Sequence, residues 1–115
     1  MKVLVCGSRD WLDIEPIRKE LSALPKDSII IHGAARGADT LADQVAVELG
    51  LKVKVFPASW HRYGRAAGPI RNQKMLEEHP DLVLAFCHDL TKSKGTADMI
   101  RRARLAKVKV KVVSR

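Results

Sequence analysis

A strict alternation of short apolar runs with amphipathic stretches limits this chain to few folds. Lys2–Cys6, Ser28–His32, Lys52–Phe56, Leu82–Phe86 and Val108–Val113 are rich in Val, Ile and Leu and read as strands. Helical patterns separate them. Ile14, Ile17, Leu21 and Leu24 share one face of a helix over Ile14–Ala23, which tolerates Pro16 in its first turn. Leu41, Ala42, Val45, Ala46 and Leu49 mark a second helix, Ala38–Leu49, stopped by Gly50. Pro69 starts a third helix that Pro80 ends, and Thr96 caps a fourth. Strands and helices taking turns specify an α/β fold: a single Rossmann-like domain of three layers around a five-stranded parallel sheet. Right-handed crossovers allow the strand orders 3-2-1-4-5 and 2-1-3-4-5, of which the first is expected here.

At 115 residues the chain is long enough for one core, so residues 1–115 form one domain. It has no run of about 18 apolar residues and no signal-peptide pattern, which predicts a soluble, cytoplasmic protein with no membrane partner. Cys6 and Cys87 each close a predicted strand; two cysteines are too few for a disulfide scaffold. The net charge of +8 calls for anionic partners without choosing among them. Part of the excess is local: Lys107, Lys109 and Lys111 alternate with Val108, Val110 and Val112, the pattern of a lysine-guarded edge strand.

In the order 3-2-1-4-5 the crevice at the switch point opens between strands one and four, and ligands of such folds bind at the carboxyl edge. Three loops on that edge combine glycine with a cation. Gly7-Ser8-Arg9 supplies a bend, a hydroxyl and a guanidinium. Gly33-Ala34-Ala35-Arg36-Gly37-Ala38-Asp39 joins the second strand to the second helix, where glycine permits positive φ and the helix start favours a phosphate. Its spacing is neither a dinucleotide-binding G-x-G-x-x-G nor a Walker loop. Ser93-Lys94-Gly95-Thr96 precedes the last helix. Each loop alone is an ordinary βα turn; their convergence carries the inference.

The connection Pro57–Gly68 is long for such a fold and holds Trp60, His61, Arg62, Tyr63 and Arg65. Trp11, Trp60 and Tyr63 all fall in carboxyl-edge loops, where ring faces suit a base. Arg71-Asn72 begins the third helix at the same edge, and Asp39 suits ribose hydroxyls or a helix cap. His32, His61, His79 and His88 lack metal-ligand spacing, so no metal is expected. No Ser-His-Asp or Cys-His set can be assembled.

These residues, with Pro57, Tyr63-Gly64, Ala67-Gly68, Met75, Asp81 and Ala85-Phe86, resemble the small YspA-like, cpYpsA-related group of the SLOG superfamily almost end to end. The resemblance implies a Rossmann-like domain that binds nucleotides or nucleotide-derived molecules, and homo-oligomers of the kind its relatives often form; beyond that nucleotide-type ligand no cofactor is certain. Within that superfamily LOG proteins hydrolyse nucleoside monophosphates at the N-glycosidic bond, DprA binds single-stranded DNA, and other members are predicted sensors of ADP-ribose-like ligands. The LOG motif P-G-G-x-G-T-x-x-E is matched at Gly95-Thr96, but Met99 stands in place of the glutamate and Lys92-Ser93 replaces the leading glycines. Asp98 is one residue away, about 100° round the helix. Arg71 parallels the arginine that LOG proteins use.

Three functions follow, in descending order. The first is binding of a nucleotide-derived ligand, with Ser8, Arg9, Arg36, Lys94, Gly95 and Thr96 on phosphates, Trp11, Trp60 or Tyr63 on the base, and Asp39 or Asn72 on the ribose. The second is an N-glycosidic hydrolase of nucleoside monophosphates with Arg71 and Asp98 as catalytic candidates, weakened by Met99. The third is a single-stranded DNA binder resembling DprA.

Overall fold

The computed structural model describes residues 1–114. Its sheet holds five parallel strands, β1 (Lys2–Gly7), β2 (Ile29–His32), β3 (Lys52–Val55), β4 (Leu82–Phe86) and β5 (Lys109–Val113), in the order β3-β2-β1-β4-β5. Helices α1 (Ile14–Ser22) and α2 (Ala38–Glu48) pack together, as do α4 (Ala67–Leu76) and α5 (Lys94–Leu105). A short helix α3 (Trp60–Tyr63) precedes α4.

The period-two side-chain alternation of the strands divides the core into two layers. Val3, Val5, Ile30, Leu84 and Phe86 face one way and bury against Ile17, Leu21, Ala42 and Val45 of α1 and α2. Leu4, Ile31, Val83 and Ala85 face the other way, against Met75 of α4 and Met99, Ile100 and Ala103 of α5. Strands buried on both faces explain the continuous apolar runs. The edge strand β5 carries exposed Lys109 and Lys111, and Lys111 reaches Glu20 of α1 at 2.6 Å. Among the described residues no helix is long and apolar enough to cross a membrane.

Helix starts depart from the sequence reading. α4 begins at Ala67 rather than Pro69; Pro69 sits in the first turn, where its missing N–H costs no hydrogen bond. The helix ends at Leu76, four residues before Pro80, and the chain turns through His79 at φ 56°. α5 begins at Lys94 with Ser93 as its N-cap, so Thr96 lies inside the first turn instead of capping it. The connection Pro57–Gly68 is not bare loop either, since α3 and a 3₁₀ turn over Gly64–Ala66 fill most of it.

Candidate functional site

The switch between β1 and β4 opens a cleft of about 860 Å³ at the carboxyl edge, within the roughly 300–1,000 Å³ of small-molecule sites. Five segments wall it: Gly7–Asp10 after β1, Arg36 and Asp39 around the start of α2, Trp60 of α3, Arg71 and Asn72 of α4, and Thr91–Thr96 before and within α5. The three glycine-and-cation loops therefore meet over one hollow.

The β1 and β2 loops are bonded to one another. Ser8 N donates to Phe86 O at 2.9 Å, and Ser8 O accepts from Trp11 N at 3.3 Å and Ala38 N at 3.2 Å. Glycine is required where these backbones touch. A side-chain carbon on Gly7 would lie within 3.0 Å of Phe86 O and the Ala38 side chain, and one on Gly37 within 3.0 Å of Ser8 O and Arg9 O. Gly37 also holds φ 80°.

The β2 loop does not offer all its amides to a ligand. Asp39, buried at 6% exposure, accepts through Oδ2 from Gly33 N at 3.0 Å and Ala35 N at 3.2 Å, and Ala34 N donates to His32 Nδ1 at 3.0 Å. Asp39 therefore organises the loop and does not cap α2, whose N-cap is Gly37. His32 is oriented in turn by Asp43, 2.6 Å from its Nε2. Burial raises the pKa of Asp39, against the pull of the Ala35 amide, His32, Arg71 and the Gly33 amide.

Arg71 spans the cleft floor. Its Nη1 donates to Gly33 O at 2.6 Å and its Nε to Asn72 Oδ1 at 3.1 Å. The lack of a side chain on Gly33 is what lets the guanidinium in. Glu78, just past the end of the same helix, bonds Lys54 and not Arg71. Asn72 is buried with both amide hydrogens engaged, on Gly95 O at 3.2 Å and Asp98 Oδ2 at 3.0 Å. It fixes Arg71 and Asp98 in place and has no free hydrogen for a ribose.

Asp98 borders the cleft and also receives Arg101 at 2.9 Å and Arg102 at 2.8 Å. Burial pushes its pKa up, but the bonds from Asn72, Arg102 and Arg101 outweigh it and hold the carboxyl below the ordinary range. Met99 points away into the core at 0% exposure. A carboxylate cannot be read at that position, and the residue facing the hollow is Asp98.

The start of α5 stands open. Ser93 Oγ bonds Thr96 Oγ1 at 2.7 Å and no side chain caps the first amides, leaving the N–H groups of Lys94, Gly95 and Thr96 without acceptors among the described residues. Nothing lies within 4 Å of where a side chain on Gly95 would project. Across the cleft, Arg9 and Arg36 make no ion pair among the described residues, and the Arg9 guanidinium lies 5.7 Å from the centre of the Trp60 ring. The Ser8 hydroxyl bonds Asp10, which lowers the pKa of that carboxyl.

Trp11 corrects the sequence reading. It is fully buried, edge-on to Phe86 with ring centres 5.7 Å apart and stacked on His88 at 4.5 Å, and its Nε1 donates to Asp13 O at 2.6 Å. It belongs to the core and is unavailable to a base. Tyr63 lies outside the cleft wall, under Arg62 at 5.1 Å, so Trp60, half exposed, is the aromatic at the lip. The sequence assigns no ligand role to Asp10, Arg65, Lys92 or Ser93, yet all four line the cleft. Ser93 carried a usable signal, a hydroxyl residue just before a helix whose first turn holds Thr96. Cys6 is a free thiol at the cleft floor, and burial, with Asp39 and Cys87 nearby, pushes its pKa up. No group of three or more His, Cys, Asp or Glu suited to a metal occurs among the described residues.

Residues 1–63 match the family model described as YspA, cpYpsA-related SLOG family. That span carries the β1 loop, the β2 loop and Trp60, while the parts of the wall on α4 and α5 lie beyond it. Gene 61 protein of Mycobacterium phage D29 is 36% identical over 118 residues, which cover 95% of this chain and 93% of that protein. No solved structure gives a significant match. By the family match and the near full-length similarity to the phage protein, this chain belongs to the YspA, cpYpsA-related SLOG family.

Proposed function

We propose that the cleft binds a nucleotide or nucleotide-derived ligand by its phosphate, ribose and base together. One observation carries the reading: the start of α5, with no side-chain cap, and Arg9 and Arg36, in no ion pair among the described residues, face the same hollow from opposite walls. Amides at a helix start and planar guanidiniums are the groups that neutralise a phosphate. Lys94 adds a point charge, and the Ser8 hydroxyl joins when a phosphate takes the place of Asp10. Asp39 Oδ1 accepts no bond among the described residues and borders the cleft, which suits a ribose hydroxyl. Trp60 offers a ring face to the base. Family membership favours the same chemistry, an ADP-ribose-like molecule or a nucleoside phosphate held for sensing or handling.

The test compares a nucleoside with its 5′-monophosphate on wild type and Arg36→Ala. Loss of a charge-assisted contact, worth about 1.5–3 kcal/mol, should weaken the monophosphate by about tenfold or more and leave the nucleoside nearly unchanged. Equal losses on the two ligands would remove the phosphate from this wall.

Asp98 supports a second reading, hydrolysis at the N-glycosidic bond, because it is an ionised carboxylate at the cleft, bonded to Asn72, which also holds Arg71. Held ionised by three donors, it suits stabilisation of an oxocarbenium-like sugar and not proton donation. Release of free base from nucleoside monophosphates, lost in Asp98→Asn, tests it; no turnover across a nucleotide panel would refute it. Single-stranded DNA comes third, since the net charge alone supports it and such binding falls steeply with salt.

A further inference from the structure

Beside the main cleft lies a smaller cavity of about 410 Å³. Ala34 and Ala58 belong to its wall alone, whereas Arg9, Arg36, Arg71 and Trp60 border both hollows. The two differ in charge. The main cleft sets Asp10, Asp39 and Asp98 among its cations, but the smaller cavity has three guanidiniums and no carboxylate among the described residues of its wall.

None of the three guanidiniums is in an ion pair among the described residues, although Arg18, Arg101 and Arg102 elsewhere are. Arg71 is fixed by backbone carbonyls and Asn72 through Nη1 and Nε, so its remaining nitrogen, Nη2, is left without an acceptor among the described residues. Arg9 is steadied over the Trp60 ring. Like charges gathered at a concave surface repel one another, and an incoming anion relieves that cost. The small side chains of Ala34 and Ala58 leave room for it.

We infer that the smaller cavity receives a second anionic group of the ligand, which then carries phosphates at two separate positions, as a nucleoside 3′,5′-bisphosphate does. The inference rests on the reading of the main cleft as a nucleotide site. One phosphate lies between the start of α5 and Arg36, the sugar and base occupy the main cleft, and the second phosphate passes the Arg9–Trp60 contact to reach Arg71.

Calorimetric titration at fixed salt, with the 5′-monophosphate, the 5′-diphosphate and the 3′,5′-bisphosphate of adenosine and guanosine, tests this. On the wild-type protein the bisphosphate should bind at least about tenfold tighter than the other two, the return on one added charge-assisted contact. Ala58→Glu puts a carboxylate into the smaller cavity and should abolish that advantage, costing the bisphosphate at least about tenfold more affinity than the monophosphate. Ala58→Gln, of similar bulk and no charge, should retain most of it. Equal binding of bisphosphate and monophosphate, or an advantage that survives Ala58→Glu, overturns the second site and leaves the main-cleft reading standing. Binding of none of the compounds overturns both. The wild-type comparison decides even where a variant fails to fold.

Discussion

The two walls of the cleft are built on opposite rules. The wall from β1 and β2 is knit backbone to backbone: Ser8 O takes two amides, Asp39 takes two more, and Trp11 is sealed beneath. The wall from α3 and α5 is open: the Lys94–Thr96 amides meet no acceptor among the described residues, space lies over Gly95, and Trp60 is half exposed. The first wall uses glycine because protein lies against it, the second because nothing does. One wall is braced by its own bonds and carries Arg9 and Arg36 on that brace; the other stands open to the hollow.

The two tryptophans should separate these roles most sharply. Trp11→Ala empties a buried site and should cost about 3–5 kcal/mol of stability. Trp60→Ala should cost about 0.5 kcal/mol or less in urea unfolding, yet weaken any nucleotide that stacks on it. A large stability loss at Trp60, with nucleotide affinity intact, would make that wall scaffold too.

The glycines come next. Gly37→Ala forces a side chain onto Ser8 O and Arg9 O at positive φ, and should destabilise by about 2–4 kcal/mol. Gly95→Ala meets nothing and should leave stability unchanged or raise it by up to about 1 kcal/mol. Its effect should appear in ligand affinity, because the added methyl enters the cleft.

The smallest effect concerns Asp39. Its folded pKa is raised by burial, so in the window above the ordinary carboxylate value of about 3.9 the folded state binds more protons than the unfolded chain. Its contribution to stability therefore declines as pH rises through that window. The stability of wild type minus that of Asp39→Asn should fall between pH 4 and pH 7. A rise would mean that its attraction to Arg71 outweighs burial.

Much of the fold was legible in the sequence because the inner strands β1, β2 and β4 are buried on both faces and the helices are amphipathic; both patterns are local signals. The meeting of three loops was legible through topology, since parallel strands deliver their βα loops to one edge. What could not be read was direction. Trp11 and Trp60 both sit in loops at that edge, and only the long-range contacts with Phe86 and His88 send Trp11 inward. Asp39 looked like a cap because it follows Gly37, but its carboxylate turns back to Gly33 and Ala35. Asn72 and Asp98 are coupled across 26 positions of sequence by a hydrogen bond that no local pattern encodes.

Backbone amide resonances followed during titration with a nucleoside 5′-monophosphate give the most direct test. Shifts should concentrate on both walls at once, at Ser8, Arg9 and Arg36 on one side and at Lys94, Gly95 and Thr96 on the other. Shifts confined to the lysine-bearing strand β5 and the outer face of α5, fading as salt is added, would contradict the account.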